Sequence, residues 1–488
     1  MDKKDSFKQI VKTTSLFGGV EIFRILANVL QTKVVAVLLG PTGVGIINMF
    51  STVINMFVSG FGFGLNTSAV KEVAEAKSSN DEVTISKTIV SLRRIVNITA
   101  FIGAFCMIVF SKLLSIATFG NSDYTLAFVI LSLALVFNIV SNGQVALIKG
   151  MRFLKYLAKC SLIGAFASLL LSIPFYYILG YDGIAYVIVL TSLILLICSW
   201  FYSRKITIAK VRISYKESFT IGKGMLKMGF FLMLSTILAH LTSFVINAYI
   251  SNNGNIDDVG FYRAGFLVTS HYVGLIFSAM SADFLPRLTA VNKNNEELST
   301  IVHQQTELAI LIIMPLVAFL FPFAKLFINI LYSEEFYCIE GYICWAAIGL
   351  IARACVWALS YILLAKGESK KFFITELFYN LTYVLLCIVG YDLWSITGLG
   401  IAFCVHNLIC LLFNYFMVNK YCSFKYTRKM LFNIIWTTLV ACGILGIFIS
   451  LPGLIGKLII ILIGTILSCH SLITIKKQTG ISIHFKRK

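Results

Sequence analysis

The chain has 488 residues, of which 58% are hydrophobic and 13% charged, with a mean hydropathy of +0.88 and a formal net charge of +19. Soluble domains carry about 25% charged residues, so the composition excludes a water-soluble fold and defines an all-α integral membrane protein. The twelve cysteines are scattered through apolar stretches, with no CxxC and no Cys/His cluster of ligand spacing, which argues against a disulfide framework and against a zinc site.

A bilayer core of about 30 Å takes roughly 20 apolar residues per helix. The polar start "MDKKDSFKQIVKTT" leads into an apolar run too long for a signal peptide, so that run is expected to stay attached as the first span. About fourteen such runs follow in order: 15–40, 43–67, 95–119, 123–148, 157–180, 183–203, 225–250, 259–285, 304–332, 339–365, 371–390, 397–419, 431–450 and 453–475. With the N-terminus inside, the cytoplasmic segments hold 34 of the 41 Lys and Arg, while outward turns such as "GPTG", "GNSD", "GYDG" and "SEEFYCIEG" hold none. That asymmetry satisfies the positive-inside rule and places both termini in the cytoplasm. The basic excess therefore reads as a topology signal facing membrane lipids, with no nucleic acid as partner. The polar segments 68–94 and 286–308 are expected to form short surface helices linking spans 2–3 and 8–9.

The chain repeats itself. "LIKG" ends at Gly150 and "LAKG" at Gly367; "GIAY" begins at Gly183 and "GIAF" at Gly400, each pair 217 apart. "FSKLLSI" from Phe110 matches "FAKLFIN" from Phe323 at 213, and Val44-Gly45 matches Val259-Gly260 at 215. The unit is six spans, so the expected architecture is two pseudo-symmetric six-helix lobes, 1–210 and 211–425, around a central cleft. Two further helices and a basic tail follow at 426–488. Even-numbered repeats run in the same direction and leave a cleft suited to alternating access.

"LGPTGVG" (39–45), "SGFGFG" (59–64), "KEVAEAK" (71–77), "LIKGMRFLKYLAK" (147–159) and "LLAKGESKKFFITEL" (363–377) resemble the oligosaccharide flippases, above all the O-antigen translocases. These belong to the multidrug/oligosaccharidyl-lipid/polysaccharide exporter superfamily. The resemblance covers residues 1–420; the two extra helices resemble the layout of lipid II flippases. It implies a bacterial cytoplasmic-membrane transporter whose substrate is an oligosaccharide on a polyprenyl pyrophosphate. Its partners would be membrane lipids and other polysaccharide assembly proteins.

Seven basic residues lie within the spans: Arg24, Lys33, Lys112, Arg263, Lys325, Arg353 and Lys457. A charge at bilayer depth costs about 2.5–3.5 kcal/mol even on the lenient scale, so each needs a partner or a watery cavity. With the resemblance in hand, a pyrophosphate suits arginine, whose planar fork meets phosphate oxygens in pairs. Arg353, mid-span in "GLIARACVW", is the leading substrate contact, against a structural ion pair or carbonyl contacts. Arg24 is next, against a permanent pair with Glu21 three residues earlier. The repeat offset places His240 opposite Arg24, either lining the cleft or hydrogen-bonded between helices. Arg263 is an outer gate or a snorkelling anchor, and Lys33 is similarly open. Lys112, Lys325 and Lys457 read as anchors, and His271 and His406 as buried hydrogen-bonding residues. Glu21 is the coupling candidate for H⁺ or Na⁺; no other cofactor and no metal is expected. The chief alternatives are a multidrug cation antiporter with Na⁺ or H⁺, which would want more deep carboxylates than Glu21 alone, and a lipid II flippase. A membrane glycosyltransferase or polymerase would want a larger extramembrane loop or paired carboxylates, so an enzyme is not expected.

Overall fold

A computed structural model describes residues 3–78, 81–151, 153–206, 209, 211 and 213–479. The side chains of Glu21, Arg24, His271 and Asp283 fall outside that description. Fifteen α-helices follow one another: α1 (Lys3–Phe61), α2 (Leu65–Ser78), α3 (Glu82–Val109), α4 (Ser111–Phe119), α5 (Thr125–Gly150), α6 (Leu154–Leu179), α7 (Gly183–Ser203), α8 (Tyr215–Asn253), α9 (Ile256–Phe266), α10 (Tyr272–Ala290), α11 (Asn295–Leu331), α12 (Glu340–Ala365), α13 (Ser369–Cys422), α14 (Arg428–Ser450) and α15 (Leu454–Thr479). Helix is the only open-ended element that satisfies its own backbone in hydrocarbon. Large apolar side chains accordingly face outward, Phe105 at 68% and Leu126 at 69% exposure among them.

Nine stretches of the described residues are long and apolar enough to cross a membrane. Three of these, Ile25–Phe61, Lys155–Ser203 and Lys370–Cys422, each hold two crossings around a break. With α8 and the α9–α10 segment they account for all fourteen apolar runs, and the chain is a multi-pass membrane protein. The breaks have local causes. At Gly40 the backbone takes φ 63° and ψ −163°, open only to glycine, and Pro41 follows without an N–H to continue the ladder. In α13 the break falls at Trp394 and Ser395. Between α9 and α10 the backbone widens into a π-helix over Leu267–His271, a form that recurs at functional positions.

The described residues divide into two compact units: Met1–Gly260 with Leu331–Ser333, and Phe261–Ile330 with Glu334–Lys488. In the first, α8 packs on α1, α2, α3 and α4, and Phe50 anchors an aromatic cluster with Phe119, Tyr124 and Phe128 at 5.5–5.9 Å. In the second, α12 is the most enclosed span, held by α13, α10 and α14. Phe284, Leu359, Ile362 and Val418 lie at its centre.

Two segments that the sequence pairs at an offset of 215 pack closely against each other inside the first unit. A Cβ on Gly45 would lie 2.2 Å from the Ile256 carbonyl oxygen, and one on its repeat-equivalent Gly260 would lie 2.1 Å from the Pro41 carbonyl oxygen. Thr42 donates to Asp257, its own equivalent at an offset of 215. Two further ties lie in the same unit: Asn252, near the end of α8, donates to the carbonyl of Ala117 in α4 at 3.1 Å, and Lys33 in α1 donates to the carbonyl of Tyr332, just past α11.

The two polar connectors, 68–94 and 286–308, differ, against expectation. In the first, α2 exists, but it is built into the unit: Ser68, Ala69 and Val73 are buried, and Lys77 donates to the Met151 carbonyl at 2.7 Å. Asp81 then caps α3, so that span begins far ahead of residue 95. In the second, no surface helix forms. The α10 helix runs to Ala290 and α11 starts at Asn295, because Asn294 accepts from the Glu296 and Glu297 amides and both acids occupy the first turn. "NKNNEEL" is an N-capping signal that starts the next span at once.

Candidate functional site

The α12 sequence alternates large apolar residues with Ala346, Ala347, Gly349, Ala352, Ala354 and Ala358, all buried. Such small residues let helices approach closely in a membrane, and α12 and α13 make the tightest pairing in the second unit. Arg353 interrupts this stripe as the lone charge at the middle of the helix. Its guanidinium lies 5.8 Å from the Phe403 ring centre, a weak cation–π distance. Tyr342, Tyr383 and His406 stand within its electrostatic reach.

No carboxylate and no hydrogen-bond acceptor among the described residues takes the Arg353 guanidinium, and part of its surface stays open. A cation at this depth without a counter-charge is stable only if water or an anionic ligand supplies one. The surroundings are donors, too. The Tyr262 and Tyr383 hydroxyls are 3.1 Å apart, Tyr262 sits edge-on to Tyr342 at 6.2 Å, and the His406 ring lies 4.8 Å from that of Tyr383. The fully buried Tyr342 hydroxyl faces Thr269 and Tyr383 but has no hydrogen bond of normal geometry among the described residues. A guanidinium fork, three phenols and an imidazole together make a donor-rich aromatic cluster around a single positive charge.

The other expected site residues fall in different places. Arg263 lies in the last turn of α9, half-buried and next to Tyr262, and belongs to the same unit as Arg353. Lys33 and His240 belong to the first unit; Lys33 is tied to the Tyr332 carbonyl, and His240 is half-buried on α8. The pairing of Glu21 with Arg24 lies outside the described residues. Lys325 pairs with Glu340 at 3.6 Å, Lys112 is exposed and Lys457 half-buried. His406 contacts the Cys410 thiol at 3.5 Å. Among the described residues, no group of three His, Cys, Asp or Glu side chains is placed to hold a metal ion. Sequence reasoning missed the tyrosines. Their signal was there: Tyr262 precedes Arg263, and Tyr342 and Tyr383 are phenols inside apolar spans, where each hydroxyl needs a partner.

Residues 34–340 match the family described as polysaccharide biosynthesis protein, and the chain belongs to it. No curated protein matches the sequence. The fold is that of the multidrug/oligosaccharidyl-lipid/polysaccharide superfamily. An inward-facing multidrug resistance MATE family transporter of that superfamily superposes with a TM-score of 0.69 at 17% identity, over 82% of this chain and 94% of its own. The lipid II flippase MurJ in an inward closed conformation gives 0.72 at 15% identity, over 96% of this chain and 100% of its own. A superfamily transporter from Pyrococcus furiosus, whose reversed binding-pocket polarity is taken to suggest a different function, gives 0.59 at 18% identity, over 85% and 95%.

Proposed function

We propose that this protein is a flippase that moves a polyprenyl-pyrophosphate-linked oligosaccharide, an O-antigen or similar surface-polysaccharide repeat unit, from the inner to the outer leaflet of a bacterial cytoplasmic membrane. The observation that carries this is Arg353, a mid-span cation with no acid beside it among the described residues, in a chain of the polysaccharide biosynthesis family. A cavity for organic cations needs carboxylates at that level; a cavity for a pyrophosphate needs what Arg353 and its phenols offer. Among proteins of this fold, MurJ is a lipid II flippase and the Pyrococcus furiosus transporter is distinguished by pocket polarity; charge in the pocket is thus a reasonable guide to cargo.

In this proposal Arg353 binds the pyrophosphate within the second unit, with Arg24, Arg263 and His240 as further candidate contacts, while Lys33 is held by the Tyr332 carbonyl. Glu21 is the proposed coupling residue for H⁺ or Na⁺, releasing Arg24 when it changes partner. The membrane potential adds about 2.3 kcal/mol per charge per 100 mV to outward movement of an anion that crosses the whole field. The test is the return of surface polysaccharide to a host lacking its own flippase, with membrane levels checked by immunoblot. Wild type is expected to restore the polymer and Arg353→Ala to fail, while Arg353→Lys restores it in part. Full activity of Arg353→Ala at normal abundance would refute the site. If wild type gives no polymer but confers resistance to cationic dyes, the cation antiporter takes its place.

A further inference from the structure

The second unit holds a separate cavity of ≈ 290 Å³ among α11, α14 and α15, of which Arg353 is not a lining residue. That is roughly ten water volumes. Its lining is sorted by chemistry. Glu307 and Lys429 pair at 3.5 Å, with Glu307 largely enclosed and Lys429 77% exposed. Asn433, Thr437, His470 and Ser471 add hydrogen-bonding groups, and Ile310, Met314 and Leu467 supply apolar surface. Arg428 and Lys429 begin α14 while Lys476 and Lys477 end α15, so the cavity lies toward the basic end of this hairpin. On the same two helices, Phe432, Leu439, Leu462 and Ile466 are exposed apolar residues that do not line it.

We propose that this cavity is a binding site for a phospholipid whose head carries both a primary ammonium and a phosphodiester, the phosphatidylethanolamine class. A shielded carboxylate beside an exposed ammonium is the charge complement of that head. Glu307 accepts from the lipid ammonium, Lys429 meets the phosphodiester, and Asn433 and Thr437 serve its remaining oxygens. Purely anionic heads fit worse, because Glu307 stands 3.5 Å from the only lysine that lines the cavity and repels a second negative group. A choline head has no N–H to give Glu307, and a single lining aromatic, Trp436, makes no aromatic cage. Apolar surface within the cavity and on the hairpin outside it points to a ligand with acyl chains. The lipid would hold the α14–α15 hairpin to α11, a junction whose lining is otherwise incompletely filled.

The test uses the full-length protein, purified in detergent and stripped of lipid, with retained lipid read by native mass spectrometry. Dioleoyl-phosphatidylethanolamine is expected at one copy per chain, about tenfold preferred over the choline and glycerol lipids of the same chains, the size of one charge-assisted hydrogen bond. Glu307→Gln is expected to erase the preference. The charge swap Glu307→Lys with Lys429→Glu keeps an ion pair for folding but reverses its polarity, and is expected to erase it as well. Equal retention of all three lipids, preference for the glycerol lipid, or an unchanged preference in the swapped protein would overturn the proposal. So would glycerophosphoethanolamine competing as well as the lipid, which would make the ligand a soluble phosphodiester.

Discussion

The reciprocal glycines give the sharpest test of the seam between the repeats. Real Cβ contacts stop at 3.0 Å, so Gly45→Ala falls short by about 0.8 Å against Ile256, and Gly260→Ala by about 0.9 Å against Pro41. In both cases the obstacle is a backbone carbonyl, which no side-chain rotation relieves. Overpacking of this kind costs about 1–3 kcal/mol. Alanine in a helix is otherwise about 1 kcal/mol better than glycine, and both positions are helical. The two effects have opposite signs, so the predicted net loss is up to about 2 kcal/mol, roughly a thirtyfold shift in the equilibrium of the closed seam.

Disulfide formation between Thr42→Cys and Asp257→Cys, in a background with the exposed Cys338, Cys442 and Cys469 replaced by serine, reads that seam directly, because the two side chains hydrogen-bond across it. Each alanine is expected to slow cross-linking and lower the unfolding temperature. The double variant should cost less than the sum of the singles, since once the helices have parted the second methyl meets no obstacle. An alanine that raises stability by the helix-propensity increment and leaves cross-linking unchanged would refute the seam as drawn. Strict additivity would show that the two glycines do not share one interface.

Two further predictions concern the second unit. Between α12 and α13, the Tyr421 hydroxyl donates to the Glu368 carboxylate, and this bond, with Lys371 at 3.4 Å, holds the Glu368 pKa below its usual 4.5. A depressed pKa stabilises the fold in full above about 4.5, and that contribution is lost as pH falls through the lowered value. Thermal unfolding of wild type and Glu368→Gln should therefore differ at pH 7 and converge in acid; a gap that persists at the lowest pH would show that charge is not its cause. Deeper in the same pair, Asn414 donates to Ser360 Oγ at 2.9 Å and to the Val356 carbonyl at 3.3 Å. Asn414→Leu should cost about 0.6–1.7 kcal/mol in unfolding measured in detergent, and a neutral result would assign the contact to packing alone.

Much of the fold was legible because hydrocarbon leaves the chain so few choices. Every apolar run of span length lies on a helix, and the 215-residue spacing of Val44-Gly45 and Val259-Gly260 appears as Gly45 and Gly260 packed reciprocally. The connectors were less legible, because polarity alone does not separate a surface helix from a capped turn. Asn294 and the acids after it end one span and start the next, whereas Asp81 does so only after α2 has been laid against α5. The breaks themselves were legible as gaps between runs: Gly40 is marked further by the proline that follows it, whereas Trp394 and Ser395 lie in the gap between 390 and 397 with no residue that fixes the exact position.

For the site, counting charges found the cations but not their acceptors, and the acceptors decide which cation is available to a substrate. Lys33 and Lys325 look as costly in sequence as Arg353. Each is answered within its own unit, one by the carbonyl that the end of α11 exposes at Tyr332, the other by the carboxylate in the first turn of α12. Both answers come from helix ends, where unsatisfied carbonyls and acidic first-turn residues collect. Arg353 lies mid-helix, where every carbonyl is already bound in the ladder and the neighbouring side chains are phenols and rings. That position leaves its guanidinium without an acceptor among the described residues, which is why Arg353 is the proposed contact for an anionic substrate. An acid introduced beside it, as in Phe403→Glu, should therefore abolish polysaccharide export while leaving the protein folded, whereas Phe403→Leu should be tolerated. Export retained with Glu at position 403, in protein of normal abundance, would refute Arg353 as a contact of the proposed pyrophosphate substrate.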